Sequence, residues 1–158
     1  MTAFSAPRQL SEKDDISSLC CGEEVVDDWA HRRAHKAMSQ DTAVVYTCFA
    51  DNRVAGLYSL SAHSVARSDV KGGWLRRNTP EQIPAVLLGM LGVDKDYQGQ
   101  GLGRSLLRDA VLRARNVSRE IGARALLVDP AGEGASRFYE HYGFRPLPET
   151  ERLFLPLH

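Results

Sequence analysis

The chain has 158 residues, 43% hydrophobic and 25% charged, a composition that excludes a disordered or collagen-like polypeptide. That length predicts a single domain that buries roughly 70% of the unfolded chain's surface and needs no covalent staples. Lys plus Arg and Asp plus Glu are 20 each, which excludes coating nucleic acid by bulk charge and makes any basic patch local.

In chain order, Met1 to Leu10 lacks a basic head followed by an apolar run, which argues against a secretory signal. Arg8 to Leu10 predicts a short strand, and Ser11-Glu12 a helix start. From Gly22 to Gln40, Val25, Val26, Trp29, Ala30, Ala34, Ala37 and Met38 recur with helical spacing. Acidic Glu23, Glu24, Asp27 and Asp28 come first and basic Arg32, Arg33 and Lys36 last. That order complements the helix dipole, while the basic end is also a candidate ligand contact. Adjacent Cys20 and Cys21, with Cys48, form neither a disulfide framework nor a zinc spacing and read as small, buried or half-buried thiols of a reducing cytosol. His31 and His35 stand four apart without a third ligand nearby, so they read as solvated helix residues and no metal is predicted.

Thr42 to Phe49 and Val54 to Ser61 are rich in β-branched and aromatic residues around a turn at Asp51-Asn52, which predicts an antiparallel hairpin. His63 to Gln82 reads as a long loop carrying Arg67, Lys71, Arg76 and Arg77 against Asp69 and Glu81, a length that is unusual unless functional. After Pro84, Ala85 to Val93 is a near-continuous apolar run and predicts a buried central strand. A helix follows from about Gly101 to Ile121, its stripe being Leu102, Leu106, Ala110, Val111, Ala114, Val117 and Ile121, with Gly122 as cap. Ala123 to Val128 predicts a second buried strand, Glu133 to Tyr142 a short helix capped by Gly143, and Phe144 to Leu157 one or two strands. No stretch approaches the roughly 20 apolar residues of a membrane span, so no membrane partner is predicted. The fold class is mixed α/β, with helices over a largely antiparallel sheet.

The sharpest feature is the turn between that strand and the long helix, Val93-Asp94-Lys95-Asp96-Tyr97-Gln98-Gly99-Gln100-Gly101-Leu102-Gly103-Arg104. Residues without side chains let backbone N–H groups approach an anion, and the helix start adds free donors and its positive dipole end. The turn reads as a phosphate or pyrophosphate cradle. It is not a P-loop, since no Gly-Lys follows, nor a dinucleotide fingerprint, since Arg104 stands where the third glycine belongs.

The spacing Gln98-x-x-Gly101-x-Gly103 resembles the coenzyme A motif of the GNAT N-acetyltransferases, and Phe138-Tyr139-Glu140-His141-Tyr142-Gly143-Phe144 is similar to that family's late Phe-Tyr-x-x-x-Gly-Phe segment. The resemblance spans essentially the whole chain. Trp29, Arg76-Arg77-Asn78-x-Pro80-x-x-Ile83-Pro84 and the run from Leu87 to Ala110 resemble the family's toxin branch, whose members sit in type II toxin–antitoxin modules and acetylate the amino group of aminoacyl-tRNA. Two positions depart from the branch. Met90 stands where a basic residue is usual, and Gly92 where a small alanine is.

The resemblance implies a GNAT fold and acetyl-CoA as co-substrate. Leu91, Gly92 and Val93 then lie along the pantetheine arm, where a backbone N–H stabilises the oxyanion. The pyrophosphate sits on the amides of Gln98, Gly99, Gln100, Gly101, Leu102, Gly103 and Arg104. Tyr139 takes the position of the general acid for the leaving thiolate, while Phe138 and Tyr142 pack. Asp94, Asp96 and Glu133 read as turn or capping residues rather than bases, because an α-amino group with a pKa near ~8 is already partly neutral at pH 7. Arg76 and Arg77, then Arg32, Arg33 and Lys36, are the candidate tRNA contacts; Arg108, Arg115 and Arg119 are explained as well by a solvated face. A ribbon-helix-helix antitoxin and a homodimer are implied partners. A housekeeping GNAT enzyme acting on a small amine or a protein N-terminus, and a catalytically silent binding module, are the alternatives.

Overall fold

The structure, a computed structural model, describes residues 2–158. Its elements run β1 (Arg8–Gln9), α1 (Glu24–Arg32), α2 (Ala34–Ser39), β2 (Val44–Ala50), β3 (Arg53–Ala66), β4 (Gln82–Val93), α3 (Leu102–Ile121), β5 (Ala125–Val128), α4 (Glu133–His141), β6 (Arg145–Pro146) and β7 (Leu153–Pro156). The strands follow the order β1-β2-β3-β4-β5-β7-β6. β4 and β5 are parallel, whereas β1–β2, β2–β3, β5–β7 and β6–β7 pair antiparallel. The chain forms two compact units. One holds the chain up to Ser61 with Gly89–Ala110, and the other Ala62–Leu88 with Val111–His158.

In the first unit, Leu10, Ile16, Leu19, Ala30, Ala34, Val45, Val54 and Leu57 form the core, flanked by Trp29, Met38 and Phe49. Burying a side chain of the Leu or Ile class contributes about 1.5–3 kcal/mol, so this cluster fastens the helices to the hairpin. The hairpin follows its prediction, with Ala50 opposite Arg53 and Asp51 in the left-handed region at φ 54.

Three expectations in this unit are corrected. No helix starts at Ser11-Glu12. Instead the Asp14 carboxylate accepts from Ser11 N (2.7 Å) and pairs with Arg8 (2.7 Å), while Ser11 Oγ accepts from Lys13 N (3.1 Å), and local bonds of this kind divert the backbone from helix into turn. The single helix expected over Gly22 to Gln40 is two helices, since Arg33 leaves helical geometry at φ −125 and ψ −20. Val25 is 64% exposed and Cys20 is exposed as well, so only Val26 and Ala30 of α1 are buried.

In the second unit, Val65, Val70, Leu75, Ile83, Ala85, Ala125, Leu127, Leu147 and Phe154 form the core. β5 is buried throughout and pairs with β4 from Ala85↔Ala125 to Leu88↔Val128. Strand β3 runs on to Ala66 and β4 begins at Gln82, so the expected loop from His63 to Gln82 shrinks to residues 67–81. Its ends are tied by Arg67 N to Glu81 O (2.7 Å). Only Val65 of residues 62–66 faces the core, too sparse a pattern to declare a strand.

The long helix keeps its predicted stripe through Ala114, after which Ser118 takes the buried place while Val117 and Ile121 are 38% and 75% exposed. The inward row steps by four residues from Ala110 to Ala114 and Ser118, whereas the apolar row steps by three from Ala114 to Val117 and so leaves that face. Gly122, at φ 75, and Gly143, at φ 97, end their helices in the left-handed conformation, as expected of both.

Candidate functional site

The end of β4 sets up the candidate site of the first unit. Among the described residues the β5 pairing stops at Leu88, while β4 continues to Val93. Met90 N–H donates to Ser59 Oγ (3.0 Å) and Asp94 N–H to Ala55 O (2.8 Å), both groups of β3. Alternation along a strand therefore directs the N–H groups of Leu91 and Val93 to the opposite edge, which has no strand partner. That edge can accept an extended ligand as an added strand, with amides placed to bond a carbonyl oxygen.

Glycines make this segment possible by absence of side chain. A Cβ at Gly92 would meet Val26 Cγ1 at 2.9 Å and Cys21 Sγ at 3.1 Å, and one at Gly56 would meet Leu106 Cδ1 at 2.9 Å. Helix α1 occupies the space that an alanine at position 92 would claim, which accounts for the glycine there.

Beyond Val93 the chain is pinned before it turns. Asp94 is fully buried and its carboxylate accepts from Cys20 N (3.1 Å) and Asp96 N (3.0 Å), with Arg53 3.2 Å away; Asp96 also pairs with Arg53, at 2.8 Å. Asp94 and Asp96 are thus turn residues, as their sequence context suggested. The Gln98 side chain donates from Nε2 to Cys21 O (2.8 Å) and Val93 O (2.9 Å), so it fastens the turn and leaves any anion to the backbone.

Gly99 and Gly101 adopt φ 79 and 81, the region that side chains avoid. Gly103 lies inside the first turn of α3, within the helix predicted from about Gly101. Ser105 N bonds back to Gly101 O (3.1 Å), so the amides of Leu102, Gly103 and Arg104 precede the first intrahelical bond and have no helical acceptor. A Cβ at Gly99 or Gly101 would meet nothing within 4 Å, and open space therefore lies in front of the bend. Free amides, a helix start and room for an anion fit the diphosphate of coenzyme A.

The second unit holds Tyr139, 8% exposed on α4, with ring contacts to Phe138 (5.4 Å) and Phe144 (5.3 Å). Its carbonyl accepts from Phe144 N (3.1 Å) and Tyr142 N (3.0 Å), so the cap at Gly143 also fixes its backbone. Burial alone pushes its phenol up to about 12, and the hydroxyl holds its proton throughout the neutral range. Phe138 and Tyr142 pack on each other at 5.2 Å, as expected. Glu133 is exposed at the start of α4, 3.9 Å from Arg137.

The arginine candidates divide between the units. Arg76 and Arg77 lie in the second, on the loop that Arg124 fastens by donating to Trp74 O (2.7 Å) and Arg77 O (3.1 Å) while stacking on the Trp74 ring (4.1 Å). Arg32, Arg33 and Lys36 lie exposed in the first, and Arg32 pairs with Asp28 at 2.8 Å. Arg108, Arg115 and Arg119 are exposed on α3. His31 Nε2 bonds to Leu19 O (2.8 Å). Among the described residues no three His, Cys, Asp or Glu side chains could hold a metal ion, and no helix is long and apolar enough to cross a membrane. Sequence reasoning missed Ser59, Arg53 and Arg124. Each acts across more than 30 residues of chain, and a buried serine in an apolar strand was the one available sign.

Comparison with known proteins agrees with this geometry. Residues 41–146 match the acetyltransferase (GNAT) domain family. The chain is 41% identical over 157 residues to a tRNA-acetylating toxin of Mycobacterium tuberculosis, covering 99% of this chain and 93% of that protein. The toxin AtaT complexed with acetyl-methionyl-tRNAfMet superposes with a TM-score of 0.85 at 27% identity, over 98% of this chain and 95% of that one. A Tyr-to-Phe mutant of AtaT bound to acetyl-CoA and the C-terminus of the antitoxin AtaR gives 0.83 at 25% identity, over 98% and 94%. The chain belongs to the toxin branch of the GNAT acetyltransferase family.

Proposed function

We infer that this acetyltransferase moves an acetyl group from acetyl-CoA to the α-amino group of aminoacyl-tRNA, which blocks translation, and that a cognate antitoxin neutralises it. The observation that carries the reading is the unpartnered edge of β4 running into the Gly99–Gly101 bend, joined to full-length similarity to a tRNA-acetylating toxin. A housekeeping role on small amines fits that similarity less well, and a silent binding module fits the preserved bend and Tyr139 less well.

In this proposal acetyl-CoA supplies a thioester acetyl group. The amides from Gln98 to Arg104 hold its diphosphate, and Leu91 to Val93 hold the pantetheine arm. The N–H groups of Leu91 and Val93 stabilise negative charge on the thioester oxygen, a contribution that commonly reaches 10²–10³ in rate for one donor. Tyr139 holds a proton for the departing sulfur. The acceptor needs no carboxylate base, since an α-amino group of pKa ~8 is partly neutral at pH 7. Arg76 and Arg77, with Arg32, Arg33 and Lys36, contact the RNA. The two compact units work as one acetyltransferase domain, a reading supported by a family match that runs through segments of both. A cytoplasmic homodimer with a ribbon-helix-helix antitoxin completes the proposal.

Incubation with labelled acetyl-CoA and total charged tRNA tests it. The label is expected on the amino acid of charged tRNA; label only on small amines or protein N-termini favours the housekeeping enzyme, and no thiol release favours the binding module.

A further inference from the structure

Four polar side chains are buried among the described residues, Thr47, Ser59, Asp94 and Ser118. Thr47 Oγ1 donates to Arg8 O (3.4 Å) and Ser118 Oγ to Arg115 O (2.7 Å), so each gives its hydroxyl proton to a backbone carbonyl. Asp94 pins the bend. Ser59, 3% exposed on β3, plays the opposite part to the other two hydroxyls, for its oxygen accepts the N–H of Met90 on β4 (3.0 Å). Among the described residues no base stands within hydrogen-bond reach of that oxygen to make it a nucleophile.

The bond sits where β4 becomes free. Gly89 follows directly on Leu88, the last residue of β4 paired with β5. It also leaves the room that the hydroxyl needs, because a Cβ there would stand 3.0 Å from Ser59 Oγ. Beyond this point the amides of Leu91 and Val93 point to the open edge, and they are held by different means. Val93 is followed by Asp94, whose N–H bonds to Ala55 O (2.8 Å) and whose buried carboxylate accepts from Asp96 N (3.0 Å). Leu91 is preceded by Met90, whose N–H rests on a side-chain oxygen. A side chain stands roughly perpendicular to its sheet, so an N–H drawn to a hydroxyl leaves the line of the backbone ladder.

We propose that Ser59 is a positioning residue for acetyl transfer, holding Met90 so that the next amide, Leu91 N–H, is aimed at the thioester oxygen. The assignment rests on the reading of this edge as the acetyl-CoA site. An oxyanion donor has its full effect only when held within about 0.5 Å and 10–20° of its productive geometry. Releasing Met90 lets the Leu91 amide swing, while the Asp94 anchor keeps Val93 and the bend in place.

Infrared difference spectra of acetyl-CoA, isotope-labelled at its carbonyl and bound to the full chain, read this hydrogen bond directly, since a donor on a carbonyl lowers its stretching frequency. In Ser59→Ala the band should move to higher frequency, and turnover on charged tRNA should fall about 10- to 100-fold, less than the 10²–10³ of a donor removed outright. Calorimetric affinity for free CoA, which lacks the carbonyl, should stay the same. Ser59→Thr keeps the oxygen on a residue suited to strands, and should restore band and turnover. Gly89→Ala keeps the hydroxyl but crowds it, should move the band as Ser59→Ala does, and decides the matter if Ser59→Ala fails to fold. An unmoved band overturns the proposal. So does a loss of CoA affinity that matches the loss of turnover, which marks a support of the whole pocket rather than of one amide. Failure of the natural protein to bind acetyl-CoA overturns the reading of the site itself, so the two failures stay distinguishable.

Discussion

The two compact units contribute to the proposed reaction in opposite ways. The first works through backbone, in the amides of Leu91 and Val93 and those from Gln98 to Arg104, and its side chains Asp94, Arg53, Gln98 and Ser59 serve to hold that backbone. The second is proposed to work through side-chain atoms, namely the Tyr139 hydroxyl and the guanidinium groups of Arg76 and Arg77. A site made of backbone is damaged by adding atoms or loosening supports, whereas a site made of side chains is damaged by removing them.

The largest effect tests the second unit. Tyr139→Phe deletes one oxygen from a packed ring and should lower turnover by about 100- to 10,000-fold, the usual range for a positioned acid, with acetyl-CoA affinity nearly unchanged. Calorimetry beside steady-state kinetics checks both halves, and near-normal turnover would remove Tyr139 from the chemistry. A phenol pushed up to about 12 stays protonated, so kcat/KM should rise through pH ~8 as the acceptor amine deprotonates and show no falling limb from Tyr139 below pH ~10.

The supports of the first unit come next. Asp94→Ala removes a fully buried carboxylate that accepts from Cys20 N and Asp96 N and pairs with Arg53, at about 0.5–1.5 kcal/mol for each hydrogen bond lost. A comparable loss in denaturant unfolding is expected, together with weaker acetyl-CoA binding. A stable variant with intact affinity would show that the bend needs no such pin.

Adding a single methyl group should cost less. Gly101→Ala places a Cβ at φ 81, a strain of about 1–2 kcal/mol, without meeting any neighbour within 4 Å. Calorimetry should show weaker acetyl-CoA binding, while the same change at exposed Gly134 on α4 should leave it alone. Equal effects at both glycines would erase the contrast between the units.

The smallest effect is a pH dependence in the second unit. His63 Nε2 accepts from Arg152 Nη2 (3.0 Å), and burial, followed by the charge of Arg152, lowers its pKa below 6.5. The unfolded chain therefore takes up this proton first as pH falls below about 6.5, and folding stability declines from there until the folded histidine also protonates. His63→Gln should flatten that decline in thermal unfolding, and an unchanged profile would assign it elsewhere.

How much was legible beforehand varies with the range of the interaction involved. The hairpin at Asp51, the caps at Gly122 and Gly143, the apolar run into Val93 and the glycine bend depend on neighbours a few residues apart, and each was readable from local pattern. The break at Arg33 has no proline or glycine to announce it. Ser118 was hidden because its burial depends on what packs against α3 rather than on its own polarity.

By itself, then, the amino-acid order determined most element types, the positions of the bend and of Tyr139, and the resemblance that pointed to acetyl transfer, because period, turn chemistry and motif spacing act locally. Tertiary structure alone decided that Ser59 holds Met90, that Gln98 serves as a fastener, that Gly92 yields its space to Val26, and that Arg124 fastens the loop at Trp74 and Arg77. Those outcomes are set by contacts between residues distant in the chain, whose partners no local pattern specifies.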